Sequence, residues 1–84
     1  MPLYCFMIYE RIAGDKEWVK NGVQRVFDTK EELLDIVEAQ YGPPSGWLFD
    51  EKQNIHYIVR DNRHWGFEMF ESVTREPIRA RDRT

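Results

Sequence analysis

The sequence predicts a small α+β domain in which one amphipathic helix covers one face of a mostly antiparallel sheet. Three observations lead to this prediction. The chain has 84 residues, which is enough for a single domain. A segment in its middle has the apolar spacing and the end signals of a helix, whereas the apolar residues before and after it are arranged as in strands. Helices and strands that segregate along a chain in this way pack as two layers.

The N-terminal part is predicted to form a strand followed by a hairpin. Residues 3–12 are apolar on both alternating faces, which is typical of a central strand or of an intermolecular contact. The sequence "AGDK" then ends the strand as a turn. Asn21-Gly22 lies between two β-prone runs, and this pair favours a type I′ hairpin turn. We therefore expect strands near residues 17–20 and 23–27.

The segment from residue 28 to 42 is predicted to be the helix. Thr29 and Glu32 have the spacing of a capping box, and Asp28 with Glu31 is the competing pair. Gly42 favours a left-handed C-terminal stop, and the two prolines after it prevent continuation. The residues predicted to form the buried stripe are Leu33, Leu34, Ile36, Val37 and Tyr41.

The C-terminal part is predicted to be a three-stranded meander. The β-prone runs are Trp47–Phe49, Ile55–Arg60 and Trp65–Val73, separated by the turn sequences "DEKQN" and "DNR". We expect Pro77 to end regular pairing because proline cannot donate to a ladder. This places a single domain at residues 1–74 and an Arg-rich, flexible tail at residues 75–84.

The charge distribution argues against a general nucleic-acid-binding protein. Residues 1–74 contain eight Lys and Arg against thirteen Asp and Glu, whereas residues 75–84 contain four Arg against two acids. Affinity for a phosphate backbone comes from neutralising it with basic side chains, which the acidic body lacks. The one cysteine, Cys5, excludes an intrachain disulfide, and the apolar N-terminal run is too short for a membrane span. We therefore predict a cytoplasmic protein.

The sequence contains no arrangement typical of an enzyme or a metal site. His56 and His64 are the two histidines, and they approach each other only if their strands pair across the intervening turn. Together with Asp50 or Asp61 they match no strong metal-binding motif, which normally supplies three or four converging ligands. We therefore predict a non-enzymatic protein with no cofactor and no metal.

The remaining signals favour a protein-binding module. Three acids, Glu31, Asp35 and Glu38, lie on one side of the predicted helix, although a solvated charged face has the same pattern. The aromatic residues exceed what a core of this size needs, although at least half of them must be core, and Trp, Tyr and Arg dominate interface hot spots. The predicted partner-binding residues are Glu31, Asp35, Glu38, Trp47, Trp65, Arg60 and Arg63.

We interpret the chain as a small inhibitor or accessory protein, of the kind carried by phages and mobile elements. It would dock on a larger protein partner that handles nucleic acid, because carboxylates on a rigid helix can occupy sites meant for phosphates. Homodimerisation through the N-terminal strand is a variant of this hypothesis.

The alternative is a nucleic-acid-binding module that uses the tail and the aromatic residues of the sheet. Its basic residues are Arg75, Arg79, Arg81 and Arg83. We rank a solvated tail first, a partner-docking arm second and a nucleic-acid arm third, since acidic residues are interleaved with the arginines.

Overall fold

The computed structural model of the protein describes residues 2–22 and 24–80 and confirms the α+β class. Six strands form one antiparallel sheet, and one α-helix packs against it in this part of the chain. The elements are β1 (Tyr4–Ile12), β2 (Val19–Lys20), β3 (Arg25–Phe27), α1 (Lys30–Tyr41), a 3₁₀ turn (Pro44–Gly46), β4 (Leu48–Asp50), β5 (Ile55–Arg60) and β6 (Arg63–Glu71). None of the described helices is long and apolar enough to cross a membrane.

The first strand lies inside the sheet, as its two apolar faces predicted. The strand order is β2–β1–β6–β5–β4, and β3 also pairs with β1. β6 pairs with β1 over its whole length, from Tyr4 opposite Glu71 to Ile12 opposite Arg63. On the other side of β1, β3 pairs with residues 4–6 and β2 with residues 9–10. Both sides of β1 are therefore paired within the chain, and homodimerisation through this strand stays a prediction. The meander β4–β5–β6 is confirmed.

The Asn21-Gly22 pair does not form the predicted hairpin turn. β2 and β3 lie along the same side of β1 as one interrupted strand. From Lys20 to Arg25 the chain advances five residues while β1 advances three, so the ladder has an interruption between the two strands. Gly22 has φ +118° within it, which favours glycine there. The positive φ expected of both residues is confirmed for Gly22 and is wrong for Asn21.

The helix has the predicted ends. The Thr29 hydroxyl accepts a hydrogen bond from the Glu32 backbone N–H at 3.1 Å, so Thr29 rather than Asp28 is the N-cap. Gly42 has φ +84°, and its N–H donates to the Glu38 carbonyl at 2.9 Å. Ile36 is 36% exposed, so its predicted place in the buried stripe is wrong. The helical residues that are buried are Leu33, Leu34, Val37 and Tyr41.

The segment after Thr74 returns to the sheet, which the sequence did not predict. Pro77 lies opposite Phe70, and the Ile78 N–H donates to the Met69 carbonyl at 3.0 Å. The Glu76 carbonyl also accepts a hydrogen bond from the Glu71 N–H at 2.9 Å, so the bonds to β6 come from the residues on either side of Pro77 and do not need its missing N–H. Ile78 is only 5% exposed and belongs to the core. The flexibility of the tail stays a prediction, and Arg81 and Arg83 lie outside the described residues.

The helix covers one part of its sheet face and leaves another part open. Phe6, Phe67 and Met69 are fully buried beneath it. On the same face, Ile8 of β1, Ile58 of β5 and Trp65 of β6 are only partly buried and pack against the edge of this core. This uncovered end of the face lies beside the turn between β5 and β6.

Candidate functional site

A groove lies on the uncovered end of the helix-side face, and we call it the sheet-end groove. Its volume is about 410 Å³. The apolar residues that line it come from three strands and the last turn of the helix, and the polar residues from the helix, the end of β5 and the neighbouring connections. The lining residues are Ile8, Tyr41, Ile58 and Trp65, with Asn21, Gln40, Arg60 and Asp61.

The β5–β6 turn fixes the register of the two strands that line this groove. Asp61 and Asn62 have φ values of 54° and 62°, as a two-residue type I′ turn requires. The turn sets Ile58 opposite Trp65, and because side chains alternate along a strand, Arg60 lies on the same face as both. The Trp65 indole N–H also donates to the Arg60 carbonyl at 3.4 Å.

The turn is also attached to the end of β1. The Ala13 N–H donates to the Asn62 carbonyl at 3.0 Å, so the turn is held at both its strands and its tip. The hydrogen bonds of the β5–β6 ladder and the bond from Ala13 to Asn62 therefore position the groove before any partner binds.

Two arginines, Arg60 and Arg63, lie side by side at the rim of the groove, which also carries Asp61. Arg60 and Arg63 are directly opposite each other on the two strands, where like charges repel. An Arg63 nitrogen lies 4.0 Å from a carboxylate oxygen of Glu10. Within the described part of the chain, Arg60 forms no ion pair. An incoming carboxylate would therefore relieve the repulsion at this position.

Two of the predicted partner-binding residues, Trp65 and Arg60, meet in the groove, and Arg63 lies beside them. Trp47 does not. Its indole N–H donates to the Gly42 carbonyl at 3.1 Å, and its ring packs edge-on against Phe67 with 4.8 Å between centroids. Trp47 is half-buried and supports the core at the other side of the helix end.

The predicted acidic residues lie on the helix outside the groove. Glu31 and Asp35 are exposed, and Glu38 is half-buried. Asp35 lies beside a shallow depression shared with Phe27 and Ile36. Their part in partner binding stays a prediction.

The described arginines of the tail are held against aromatic rings. The Arg75 guanidinium lies 5.1 Å from the centroid of Phe70, and that of Arg79 lies 4.9 Å from the centroid of Phe49. These cation–π contacts cover both rings, so a nucleic-acid base would have to displace an arginine to stack on either one.

The two histidines lie on opposite faces of the sheet, so the prediction that they could approach each other is wrong. His56 faces the core and stacks on Phe67, and burial followed by the charge of Arg79 lowers its pKa to about 4. His64 is on the helix-free face beside Tyr57, and burial also lowers its pKa. Among the described residues, no three His, Cys, Asp or Glu side chains are grouped closely enough to hold a metal.

A polar network on the helix-free face was missed by the sequence reasoning. The Arg11 guanidinium lies 4.1 Å from the Trp18 ring centroid, and its Nε donates to His64 Nδ1 at 2.8 Å. Asp50 lies 3.6 Å from Arg11 and accepts the Trp18 indole N–H at 2.9 Å. This hydrogen bond from Trp18 is the main reason that the Asp50 pKa is lowered. The donors and acceptors satisfy one another, so the network attaches the loop containing Trp18 to the sheet.

The close approach of this loop depends on a glycine in β6. A Cβ at Gly66 would lie 2.7 Å from atoms of both Ile55 and Trp18. Trp18 therefore covers the strand directly, and we assign the network a structural role.

Comparisons with known proteins give no significant match to a protein-family model, a curated protein or a solved structure.

Proposed function

We propose that this protein is a non-enzymatic protein-binding module and that its partner binds in the sheet-end groove. The observation that carries the proposal is the partly exposed apolar surface of Ile58 and Trp65 next to Arg60. An aromatic anchor beside an arginine is the usual composition of an interface hot spot. The backbone beneath these residues is fixed by a tight turn, so binding requires little ordering of the protein itself.

The finer proposal is that the chain acts as a small inhibitor or accessory protein of the phage or mobile-element type. The partner would be a larger protein that handles nucleic acid. In this proposal Glu31, Asp35 and Glu38 make a second, electrostatic contact with a basic surface of that partner. Reversing these three charges should then slow association and remove its decrease with added salt, because salt would now screen a repulsion, while binding at the groove persists with a lower affinity.

The proposal is tested by photo-cross-linking in a lysate of the source cells. A photoreactive benzophenone amino acid is placed at Gln40 or Asp61, on the rim of the groove. The matched control positions are Lys16 and Gln53, which line a cleft on the helix-free side. We expect one discrete protein adduct from the groove positions and none of that mass from the control positions.

A charge variant makes this test specific. Arg60→Glu should reduce the adduct at least about tenfold, since it removes a hot-spot contact of roughly 1.4 kcal/mol or more. Lys52→Glu introduces the same charge change at an exposed position in the β4–β5 turn and should leave the yield unchanged. Adducts that form only at the control positions, or that are unaffected by Arg60→Glu, would contradict binding in the groove.

A further inference from the structure

We propose that the segment bound in the sheet-end groove is an extended strand of the partner, which pairs with Val59 at the open edge of β5. This inference rests on the proposed function and specifies the binding mode. The segment would present an apolar residue and an acidic residue two positions apart, on either side of the residue that pairs with Val59.

The edge of β5 is open because β4 is too short to cover it. β5 spans Ile55–Arg60, but β4 pairs only with its first three residues, ending with Leu48 opposite Tyr57. The residue before β4, Trp47, turns toward the helix and is held there by the carbonyl of Gly42. The chain therefore reaches the sheet edge from the helix side and leaves residues 58–60 without a neighbour on that edge within the described residues.

The β5–β6 turn determines which backbone groups face outward. In a two-residue hairpin the residues that flank the turn exchange both backbone hydrogen bonds, and such pairs alternate along the strands. Arg60 and Ile58 therefore direct their N–H and C=O groups toward β6. Tyr57 and Val59 direct theirs away from it, and Leu48 pairs with Tyr57 only. Val59 is left with an outward donor and an outward acceptor, and it is 53% exposed.

Strand alternation then fixes the side chains of an incoming segment. The residue paired with Val59 places its side chain on the helix-free face, near exposed Leu48. Its two neighbours point to the groove side, one beside Ile58 and the other beside Arg60. An apolar side chain suits the first position and a carboxylate the second. The carboxylate would relieve the repulsion between Arg60 and Arg63.

Two other occupants fit less well. A helix has its backbone donors and acceptors bonded internally, so it leaves the groups of Val59 unpaired. A second copy of this chain paired through the same edge would bring two Arg60–Arg63 pairs onto one face and add to the repulsion. An extended segment of another protein satisfies both the backbone and the charge, as in β-strand addition generally.

The probe for this inference is a phage-displayed library of random ten-residue peptides, selected against the full chain. We expect the enriched peptides to share an apolar residue, any residue except proline, and Asp or Glu, read in either direction. One enriched peptide is then titrated into the ¹⁵N-labelled protein. The amide of Val59 and the indole N–H of Trp65 should show the largest shifts.

Changes to the peptide and to the protein separate backbone pairing from groove contacts. N-methylation of the middle residue of the peptide removes its backbone donor and should weaken binding at least about tenfold. Val59→Pro removes the outward donor of the protein and should have a similar effect, since proline is tolerated on a strand edge. Val59→Thr keeps the backbone and should change the affinity less than about threefold. When the peptide library is selected against the Arg60→Glu variant, the enriched peptides should no longer share an acidic residue.

The outcomes distinguish this inference from the function on which it rests. If N-methylation and Val59→Pro have no effect while Arg60→Glu weakens binding, the extended mode is wrong and the groove remains the binding site. Shifts located away from β5, a helical peptide consensus, or no enrichment overturn the inference. A concentration-dependent dimer with shifts at Val59 would assign the edge to a second copy and overturn it as well.

Discussion

His56 should make the folded protein sensitive to mild acid. The side chain is only 7% exposed, lies between Phe49 and Phe67, and its Nδ1 has no hydrogen-bond partner in the described structure. Burial and the nearby charge of Arg79 lower its pKa from 6.5 to about 4 in the folded state. In the unfolded chain the imidazole regains its ordinary pKa. The unfolded state therefore binds the proton first as the pH falls.

The magnitude follows from linkage between the two pKa values. Between pH 6.5 and 4 the unfolded state carries more protons, so the free energy of unfolding decreases as the pH falls through this window. The difference of roughly 2.5 pKa units corresponds to a total loss of about 3 kcal/mol. At pH 5 the loss relative to pH 8 is about 2 kcal/mol. A domain of this size has only a small margin, so this loss is a large fraction of its stability.

The assay is urea unfolding at several pH values between 8 and 4.5, followed by tryptophan fluorescence. The variant His56→Phe retains an aromatic ring in the stack and removes the titrating group. We expect its stability to fall about 2 kcal/mol less than that of the original chain between pH 8 and 5. His64→Gln is the control on the other face of the sheet, and it leaves His56 in place. Parallel loss of stability in the original chain and His56→Phe would refute the reasoning.

Three further predictions concern the packing of the domain. Truncation after residue 74 should destabilise the protein by roughly 2–5 kcal/mol because it removes the buried Ile78, whereas truncation after residue 80 should have little effect. Equal urea midpoints for the two truncations would contradict this. Gly66→Ala should cost roughly 1–3 kcal/mol because its Cβ would overlap Ile55 and Trp18, while Gly46→Ala, with open space around it, serves as the control. Asp50→Asn should cost roughly 1–3 kcal/mol by leaving Arg11 without its carboxylate partner, and an unchanged denaturation midpoint would show that this ion pair contributes nothing.

The elements with local signals were predictable from the sequence. The helix carries its own caps, and the structure places Thr29 and Gly42 at its two ends as expected. The strands β1, β5 and β6 have enough apolar or alternating residues to be recognised without knowledge of their partners. The register of the β5–β6 pair also follows from the short turn between them, and this register brings Trp65 and Arg60 together.

The sequence-based predictions that were wrong concern segments in which pairing with a distant strand decided the local structure. Asn21-Gly22 has the residues for a hairpin turn, but β1 offered an edge that the chain on both sides of this pair could join. Pro77 has no donor for a ladder, but its neighbours supply the hydrogen bonds that attach the segment to β6. The remaining groove residues, such as Ile8 and Tyr41, are distant in sequence from Trp65. Their meeting depends on strand order, which no local pattern contains.

The position of the groove follows from the dimensions of the two layers. A helix of 12 residues is about 18 Å long, whereas a strand of nine residues extends about 30 Å. One helix therefore cannot cover the whole of a six-stranded sheet. On the helix-free face, the loop carrying Trp18 closes over Gly66, and Arg75 covers Phe70. Beside the β5–β6 turn no described segment covers the sheet in this way, so the apolar side chains of Ile58 and Trp65 stay partly exposed. The outward backbone groups of the neighbouring Val59 are also open. A surface left incomplete in both its side chains and its backbone is more specific than a hydrophobic patch, because the segment that completes it must match both at once.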